Sequence, residues 1–379
     1  MRDIWFWQRI VSPHMALLAL ALVKEGCHVT YVAERPMSVD REAQGWKVPP
    51  LPGVQLHYVA NSTDVFSLVS KAPKYATHLC QGIRANGGVG IVQRELARCG
   101  CSFWVVMEMM DDPGLAGAAK RLLYRALFAR RRKHLHGILA IGKETPQWVA
   151  GRGVSSEQIF PFTYFLEEVG ANKHLSPLPD GVFRFLFVGQ FIPRKRLDLL
   201  IDALGELGEE LPEFRLQIIG SGPLENELRA KGERLLGRKL EWLGRQTMKE
   251  VHAHMAWADC LVLPSRHDGW GAVVSEALMA GTPAICSDHC GAAEVVLASK
   301  TGGVFPRGDQ KALAALLTQC LSKGRYTEAA RSNLAQWATS LGATHGANYL
   351  MEIFSYLECG GVRPLAPWNQ SKTQNEGAK

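Results

Sequence analysis

The chain has 379 residues, of which 47% are hydrophobic and 21% are charged, so it can form two domains of ordinary size in a soluble enzyme. No apolar run approaches the roughly 18 residues of a membrane-spanning helix. The net charge of +7 is modest, and the nine cysteines include no C-x-x-C pair, which favours reduced thiols over a disulfide framework.

Residues 1–26 are apolar enough to be mistaken for a signal peptide. Pro13 and His14 interrupt the apolar part, however, and the segment ends in Lys24-Glu25-Gly26 rather than at a small-residue cleavage site. We therefore predict a buried strand, a turn and a helix in a cytoplasmic protein.

Short apolar runs then alternate with helical stretches through the first half of the chain. The predicted strands are Ile4–Trp7, His28–Ala33, Val54–Val59, Phe103–Met107 and Gly137–Ile141. The predicted helices are Met15–Glu25, Gly88–Arg98, Ala119–His134 and Glu144–Gly151. This alternation is typical of a parallel sheet that is covered by helices on both faces.

The densest basic segment, residues 120–136, lies in one of these helices. At about 100° per residue, one apolar stripe is expected to pack on the protein, with Arg121, Arg125 and Arg132 roughly opposite. The stripe consists of Leu122, Leu123, Ala126 and Leu127. An ordinary surface helix is one interpretation, and contact with an anionic membrane or an acidic acceptor is the other, at about 1 kcal/mol per basic residue near a charged membrane. No recognition motif accompanies the charge, so we predict no nucleic-acid partner.

A polar segment rich in proline and glycine, residues 171–182, is predicted to be a linker, after which the pattern restarts. The second set of predicted strands is Phe183–Val188, Arg215–Ile219, Glu241–Leu243, Cys260–Leu263 and Ala284–Ser287. The fold class is therefore α/β, with two Rossmann-like doubly wound parallel-sheet domains that face each other across a cleft. Open sheets of this kind bind ligands beyond the carboxyl ends of their strands.

A glycine and a group of cations follow the first strand of the second half. Gly189 ends the strand, and Arg194 and Lys195 come a few residues later, a combination that suits a diphosphate. A basic loop balanced by Asp198 and Asp202 is the alternative. The turns at Gly220 and at Gly244-Arg245 are equally compatible with plain strand-to-helix connections.

The most informative motif is a pair of acids around Gly269-Trp270-Gly271. Asp268 precedes this turn, and Glu276 lies in the helix that the glycines introduce. Glycines at a helix start expose N–H groups that attract phosphate, and carboxylates accept hydrogen bonds from sugar or ribose hydroxyls. Glu276 falls outside the apolar arc of its helix, so we expect its carboxylate to face solvent or a cleft. The pattern suits a sugar attached to a diphosphate.

Over nearly all of residues 183–322 the chain resembles the family-4 retaining glycosyltransferases (glycosyl transferases group 1), which have the GT-B fold. The resemblance rests on FLFVGQFIPRKRLDLLIDAL, LQIIGSGPLENEL, WADCLVLPS, and HDGWGAVVSEAL followed by MAGTPAI and GAAE. With it we expect an acceptor-binding domain over residues 1–172 and a nucleotide-sugar-binding domain over 173–340. A helix over 341–359 should return to the first domain, and a disordered tail should follow over 360–379.

The resemblance also implies roles for single residues. Glu276 would bind the ribose hydroxyls, Asp268 would face the transferred sugar, and Lys195 would bind the diphosphate. The expected substrate-binding positions are Gly189, Gln190, Gly220, Arg245, Gly269, Trp270 and Gly271. The chain departs from the family twice: Asp268 stands where Glu is commoner, and Gln190 stands where many members have a phosphate-binding arginine. Arg194 is our candidate for that missing charge.

The resemblance implies transfer of a sugar from a nucleotide diphosphate sugar to a hydroxyl of a glycan or lipid-linked acceptor, with retention, in bacterial envelope polysaccharide or lipopolysaccharide synthesis. Such a protein would be cytoplasmic or peripheral at the inner face of the membrane. No D-x-D motif occurs, and Cys286, His289 and Cys290 lack a second ligand pair with zinc spacing, so we predict no metal and no cofactor.

His14 follows the first predicted strand. There it would contact or deprotonate an acceptor hydroxyl, or else have only a helix-capping or structural role. Two other functions stay open. One is an inactive GT-B protein that binds a sugar nucleotide or saccharide, and the other is a GT-B sugar-nucleotide epimerase. An NAD enzyme is disfavoured because no G-x-G-x-x-G follows the first strand.

Overall fold

The structure of the protein is a computed structural model, and it describes residues 1–37, 47–84, 87–112, 114–168, 181–208 and 210–370. The chain divides into two compact units. The first consists of Met1–Glu167 together with Gly342–Lys379, and the second of Glu168–Leu341. Each unit contains its own parallel sheet and its own apolar core.

The first unit contains a seven-stranded parallel sheet of order β3-β2-β1-β4-β5-β6-β7. Its strands are β1 Asp3–Ile10, β2 His28–Arg35, β3 Val54–Tyr58, β4 Thr77–Gln81, β5 Phe103–Glu108, β6 Leu135–Ile141 and β7 Ile159–Phe162. Its first helices are α1 Pro13–Lys24, α2 Ser62–Lys71, α3 Gly87–Arg98, α4 Gly114–Arg131 and α5 Thr145–Ala150. The central strands are apolar on both sides because helices cover both faces of a parallel sheet.

Two strands of this sheet, β4 and β7, were not predicted. The run of β4 is short and includes His78, whose Nδ1 atom accepts a hydrogen bond of 3.1 Å from the buried indole of Trp7. A partner that lies far away in the sequence therefore makes this polar residue acceptable in a central strand. Pro161 interrupts the pattern of β7, and it is tolerated because β7 pairs on one side only, at the sheet edge.

The second unit contains a six-stranded parallel sheet of order β10-β9-β8-β11-β12-β13. Its strands are β8 Phe183–Val188, β9 Phe214–Ile219, β10 Leu240–Gly244, β11 Cys260–Leu263, β12 Ala284–Ser287 and β13 Gly303–Phe305. Its helices are α6 Leu197–Gly205, α7 Glu225–Leu236, α8 Met248–Trp257, α9 Ala272–Met279, α10 Ala293–Ser299, α11 Gln310–Lys323 and α12 Glu328–Ala338. Both sheets are doubly wound, as the sequence predicts.

The chain after the second unit returns to the first. Helix α13, Ala343–Cys359, lies against α1, and its Tyr349 hydroxyl donates to the carbonyl oxygen of Pro161 at 3.1 Å. A short helix, α14 Pro367–Gln370, follows, and Trp368 is buried there. The prediction of disorder over 360–379 is therefore wrong for residues 360–370, because an indole buried in the core anchors them. Residues 371–379, and residues 171–180 of the predicted linker, lie outside the described residues.

The orientation of the basic helix α4 also differs from the prediction. Leu122 and Leu123 were expected to pack inward, but they are 66% and 42% exposed. The buried face carries Gly117, Tyr124 and Phe128 instead. Gly117 lies so close to Asp112 that a Cβ atom would be 1.7 Å from its carbonyl oxygen, and the aromatic rings bury more apolar area than the leucines. These contacts set the rotation of α4.

Across the described residues, no helix combines the length and the apolar character that crossing a bilayer requires.

Candidate functional site

The strand order of the second unit brings two loops side by side. From β8 the sheet grows through β9 and β10 in one direction, whereas β11, β12 and β13 extend it in the other. The reversal lies between β8 and β11, which are hydrogen-bonded neighbours. Residues 189–196 (the cation loop) follow β8, and residues 264–271 (the acid loop) follow β11. Such a switch point is where open α/β sheets form ligand sites.

Asp268 of the acid loop forms ion pairs with both predicted cations. The Lys195 ammonium contacts one carboxylate oxygen, and the Arg194 guanidinium lies 3.2 Å from the other. Lys195 and Asp268 are mostly buried, whereas the side chain of Arg194 is 42% exposed. Burial acts to raise the pKa of Asp268, but Lys195 and then Arg194 outweigh it, so that the pKa lies below its usual range. The cluster therefore carries one anion and two cations.

The neighbouring acids do not balance these cations. Asp198 pairs with Arg196 at 3.0 Å, and Asp202 pairs with Lys231 of α7 at 2.5 Å. Arg194 additionally donates to the backbone carbonyl of His267 at 2.8 Å. The cation loop is thus connected to the acid loop through Arg194 and Lys195, whereas its Arg196 pairs with Asp198 at the start of α6.

A second group of contacts holds the acid loop in place. The buried Ser265 hydroxyl lies 3.3 Å from the carboxylate of Asp268, and the Ser287 hydroxyl donates to the carbonyl oxygen of Ser265 at 2.6 Å. The backbone N–H of Asp268 donates to the carbonyl oxygen of His289 at 3.1 Å. We did not predict Ser265 or Ser287, although the position of Ser265, directly after a predicted strand, was an available signal.

The glycines around Trp270 allow the start of α9 to lie close to its neighbours. Gly271 has φ +86°, and a Cβ atom there would lie 2.7 Å from the sulfur of Cys290. Within the described parts of the chain, the backbone N–H groups of Gly269 and Gly271 have no hydrogen-bond acceptor. Amides of this kind at the start of a helix can bind an anion. The Trp270 side chain is buried and its indole donates to Ser275 at 3.0 Å, so only its backbone is available to a ligand.

Glu276 occupies the second turn of α9. We expected its carboxylate to face solvent or a cleft, and this stays a prediction. The residue is half-buried, and burial raises its pKa to about 7. No hydrogen bond or ion pair reaches this carboxylate from any residue that the structure describes. A carboxylate in such a position gains stability from a ligand that donates hydrogen bonds to it.

The turns that follow β9 and β10 lie at the same edge of the sheet as the cation loop and the acid loop. Gly220 approaches Gly189 so closely that a Cβ atom would lie 1.9 Å from the carbonyl oxygen of Gly189. The Gly220 N–H donates to the carbonyl oxygen of Gly244 at 2.8 Å, and the exposed Arg245 side chain donates to the Ser221 hydroxyl. Gln190, in the cation loop, is partly buried. The close packing of the backbone is by itself a sufficient reason for glycine at these positions, without any ligand.

His14 lies in the first unit, in the first turn of α1, and its ring stacks on Tyr164 with the centroids 5.2 Å apart. The other predicted residues all belong to the second unit. A role for His14 in the site stays a prediction. In the described ranges no group of three or more His, Cys, Asp and Glu residues could hold a metal ion.

Comparison with known proteins shows which family these motifs resemble. Residues 171–337 match the sequence profile of the family described as "Glycosyl transferases group 1". This segment is less than half of the chain, and in it the chain is similar to the glycosyl transferases group 1 family. The relatives with similar sequences include the phosphatidyl-myo-inositol mannosyltransferase of Mycobacterium leprae, which is 30% identical over 60% of this chain and 61% of its own length.

Two further relatives align over shorter segments. A GDP-mannose-dependent alpha-(1-6)-phosphatidylinositol monomannoside mannosyltransferase of Mycolicibacterium smegmatis is 31% identical over 40% of this chain and 42% of its own. A protein of Salmonella typhimurium, named as a colanic acid biosynthesis glycosyltransferase, is 32% identical over 37% of this chain and 36% of its own. The chain therefore aligns with less than two thirds of the length of each of these relatives.

Solved structures match almost the whole chain. The lipopolysaccharide outer core galactosyltransferase WaaB superposes with a TM-score of 0.67 at 16% identity, over 92% of this chain and 99% of its own. HepE of Anabaena in complex with UDP superposes with a TM-score of 0.70 at 15% identity, over 94% of this chain and 100% of its own. At these identities the likeness establishes the GT-B fold.

Proposed function

We propose that the protein transfers a sugar from a nucleotide diphosphate sugar to a hydroxyl group of a glycan or lipid-linked acceptor. The observation that carries this proposal is the cluster of Asp268, Lys195 and Arg194 at the switch point, beside the glycine-bounded start of α9. The names of relatives support the class of donor: one mannosyltransferase is GDP-mannose-dependent, and HepE has been solved with UDP-glucose.

The two cations would bind the diphosphate. Asp268 supplies one negative charge to Lys195 and Arg194, and a diphosphate carries more charge than one carboxylate, so it would compete for them. Arg194, the more exposed of the two, can turn toward a phosphate at little cost, which would compensate for Gln190. Asp268 would then accept hydrogen bonds from the sugar hydroxyls, and the backbone amides of Gly269 and Gly271 would lie near the phosphates.

In the reaction, the bond between the anomeric carbon and the diphosphate oxygen breaks, and its electron pair leaves with the diphosphate. The acceptor oxygen forms the new bond to the anomeric carbon, and the hydroxyl proton is released; His14 is our candidate to accept it. Lys195 and Arg194 stabilise the charge that develops on the leaving group. We further propose that the anomeric configuration is retained and that these cations act without a metal ion.

The nucleoside would lie over the neighbouring turns. Glu276 is a hydrogen-bond acceptor without a donor in the described part of the chain, so we assign it to the ribose hydroxyls. The backbone of Gly244 and Arg245, at the end of β10, would meet the base. The names of similar proteins, which refer to colanic acid, amylovoran and lipopolysaccharide, support an acceptor in the bacterial cell envelope, modified on the cytoplasmic side.

A panel of nucleotide sugars tests this proposal. The full chain should show a higher melting temperature with at least one UDP-, GDP- or ADP-sugar, and the matching donor should glycosylate a glycan or lipid-linked acceptor. NMR of the product reports its anomeric configuration. A product formed from the donor alone would indicate an epimerase, and donor binding without turnover would indicate a binding protein. No stabilisation by any donor would contradict the proposal altogether.

A further inference from the structure

The outward face of α4 combines exposed leucines with a high positive charge. Leu115 is 92% exposed and Leu122 66% exposed. Between Gly114 and His136 the sequence contains no Asp or Glu. The basic residues there are Lys120, Arg121, Arg125, Arg130, Arg131, Arg132 and Lys133. Exposed leucines flanked by cations are typical of helices that lie in a membrane interface.

A cavity of about 510 Å³ opens beside this helix, within the first unit. Its lining includes Arg125, Phe128, Arg132, Arg152, Ser155 and Gln158. At about 100° per residue, Arg125 and Arg132 lie between the buried face of α4 and its leucines. The cavity and the exposed leucines are therefore adjacent on one surface.

Arg152 is the buried cation of this cavity. Its side chain is 8% exposed, its guanidinium lies over the Trp148 ring, and it forms an ion pair with Asp112. Its Nε atom is buried and has no hydrogen-bond partner among the residues that the structure describes.

Positive charge in this cluster exceeds negative charge. Asp112 serves both Arg152 and, at 3.9 Å, Arg121. The side chains of Arg125 and Arg132 have no carboxylate partner among the residues that the structure describes. Burial lowers the pKa of Arg152, Asp112 opposes this effect, and the charges of Arg121 and Arg125 lower the pKa further. An anion in the cavity would relieve this repulsion.

We propose that the cavity binds the phosphate of an anionic lipid head group while Leu115 and Leu122 enter the membrane interface. The arginines select a phosphate because they present several donors and a fixed charge. The leucines select a lipid rather than a soluble phosphate, because they lie outside the cavity and gain only from an apolar phase. This site is separate from the donor cluster and does not depend on transfer activity.

Vesicle binding by the full chain tests the proposal. Phosphatidylcholine vesicles with and without phosphatidylglycerol are compared by flotation. The wild type should bind the anionic vesicles at least about tenfold more strongly, and the double variant Arg125→Gln/Arg132→Gln should lose at least about tenfold of that binding. Leu115→Ser/Leu122→Ser should bind the same vesicles more weakly although its charge is unchanged. The matched control, Arg234→Gln/Arg238→Gln, removes the same charge from exposed positions in the second unit and should bind as the wild type does.

Three results would overturn the proposal. Equal binding to neutral and anionic vesicles would show that the charge of the lipid head group does not determine binding. An equal loss in the control variant would mean that net charge, and not the cavity, governs binding. Stabilisation of the wild type by glycerol phosphate that depends on Arg125 and Arg132, without vesicle binding, would assign the cavity to a soluble anion. All the substituted side chains are exposed, and unchanged melting temperatures verify that each variant folds.

Discussion

Replacing Glu276 by Gln removes a carboxylate that the fold holds partly out of water and to which no described residue donates a hydrogen bond. Burial raises the pKa of Glu276 from the ordinary 4.5 to about 7. That difference corresponds to about 3 kcal/mol of free energy when the carboxylate is charged, and water at its exposed part reduces the value. Glutamine has nearly the same shape and no charge, so the substitution isolates this cost.

The sign of the effect depends on pH. Below about pH 4.5 the carboxyl group is protonated in the folded and the unfolded chain, and the substitution should change little. As the pH rises, the unfolded chain ionises first, and the contribution of the neutral carboxyl to stability is lost through the folded pKa of about 7. At pH 8 the Glu276→Gln variant should therefore be more stable than the wild type.

Differential scanning calorimetry of the full chain at pH 5 and pH 8 measures this difference. At roughly 2–4 °C per kcal/mol for a unit of this size, the full value of about 3 kcal/mol sets an upper limit of about 6–12 °C for the rise of the second unit's transition at pH 8, and the rise at pH 5 should be much smaller. Glu233→Gln on the exposed side of α7 is the matched control and should shift neither value. A variant that is no more stable than the wild type at pH 8, or one whose gain is independent of pH, would refute the reasoning.

Three further outcomes follow from the same unit. Lys195→Ala should lower turnover about a hundredfold at saturating donor, because it removes a charge beside the leaving group. Lys231→Ala, which breaks an ion pair between α6 and α7, should leave turnover unchanged. If the two variants turn over at the same rate, Lys195 does not belong to the site. Gly271→Ala should lower the free energy of unfolding by at least about 1 kcal/mol more than Gly237→Ala in urea titrations, since both glycines have positive φ but only Gly271 would clash with Cys290. Nucleotide binding at pH 6 should release a proton, seen by calorimetry in buffers of different ionisation enthalpy, and Glu276→Gln should abolish that release.

The alternation of strands and helices could be predicted, because it depends on the local periodicity of apolar residues. The bounds of β8, β11 and β12 agree with the predicted strands, since each is a short apolar run between clear turn residues. The motif around Asp268 could also be recognised in the sequence, because the glycines and the acids of a strand-to-helix turn lie close together there. The order of the strands then explains why the cation loop and the acid loop are neighbours.

The side-chain environments were harder to predict. Helical periodicity placed Leu122 inward, yet this leucine is exposed, and it placed Glu276 toward solvent or a cleft without indicating that the residue is half-buried. A polar composition indicated disorder after Gly360, yet Trp368 is buried. In each case the outcome depends on partners that are distant in the sequence, and no local pattern records them.

The amino-acid pattern alone was therefore enough for two doubly wound sheets and for singling out the acid and glycine motif around Asp268, because both follow from short stretches of chain. Only the tertiary structure decided which face of α4 is packed, how far Glu276 is buried, and that Asp268 pairs with Lys195, 73 positions away. Burial and ion pairing are properties of contacts between segments, and the free energy of those contacts outweighs the weaker preference of any single helix or strand.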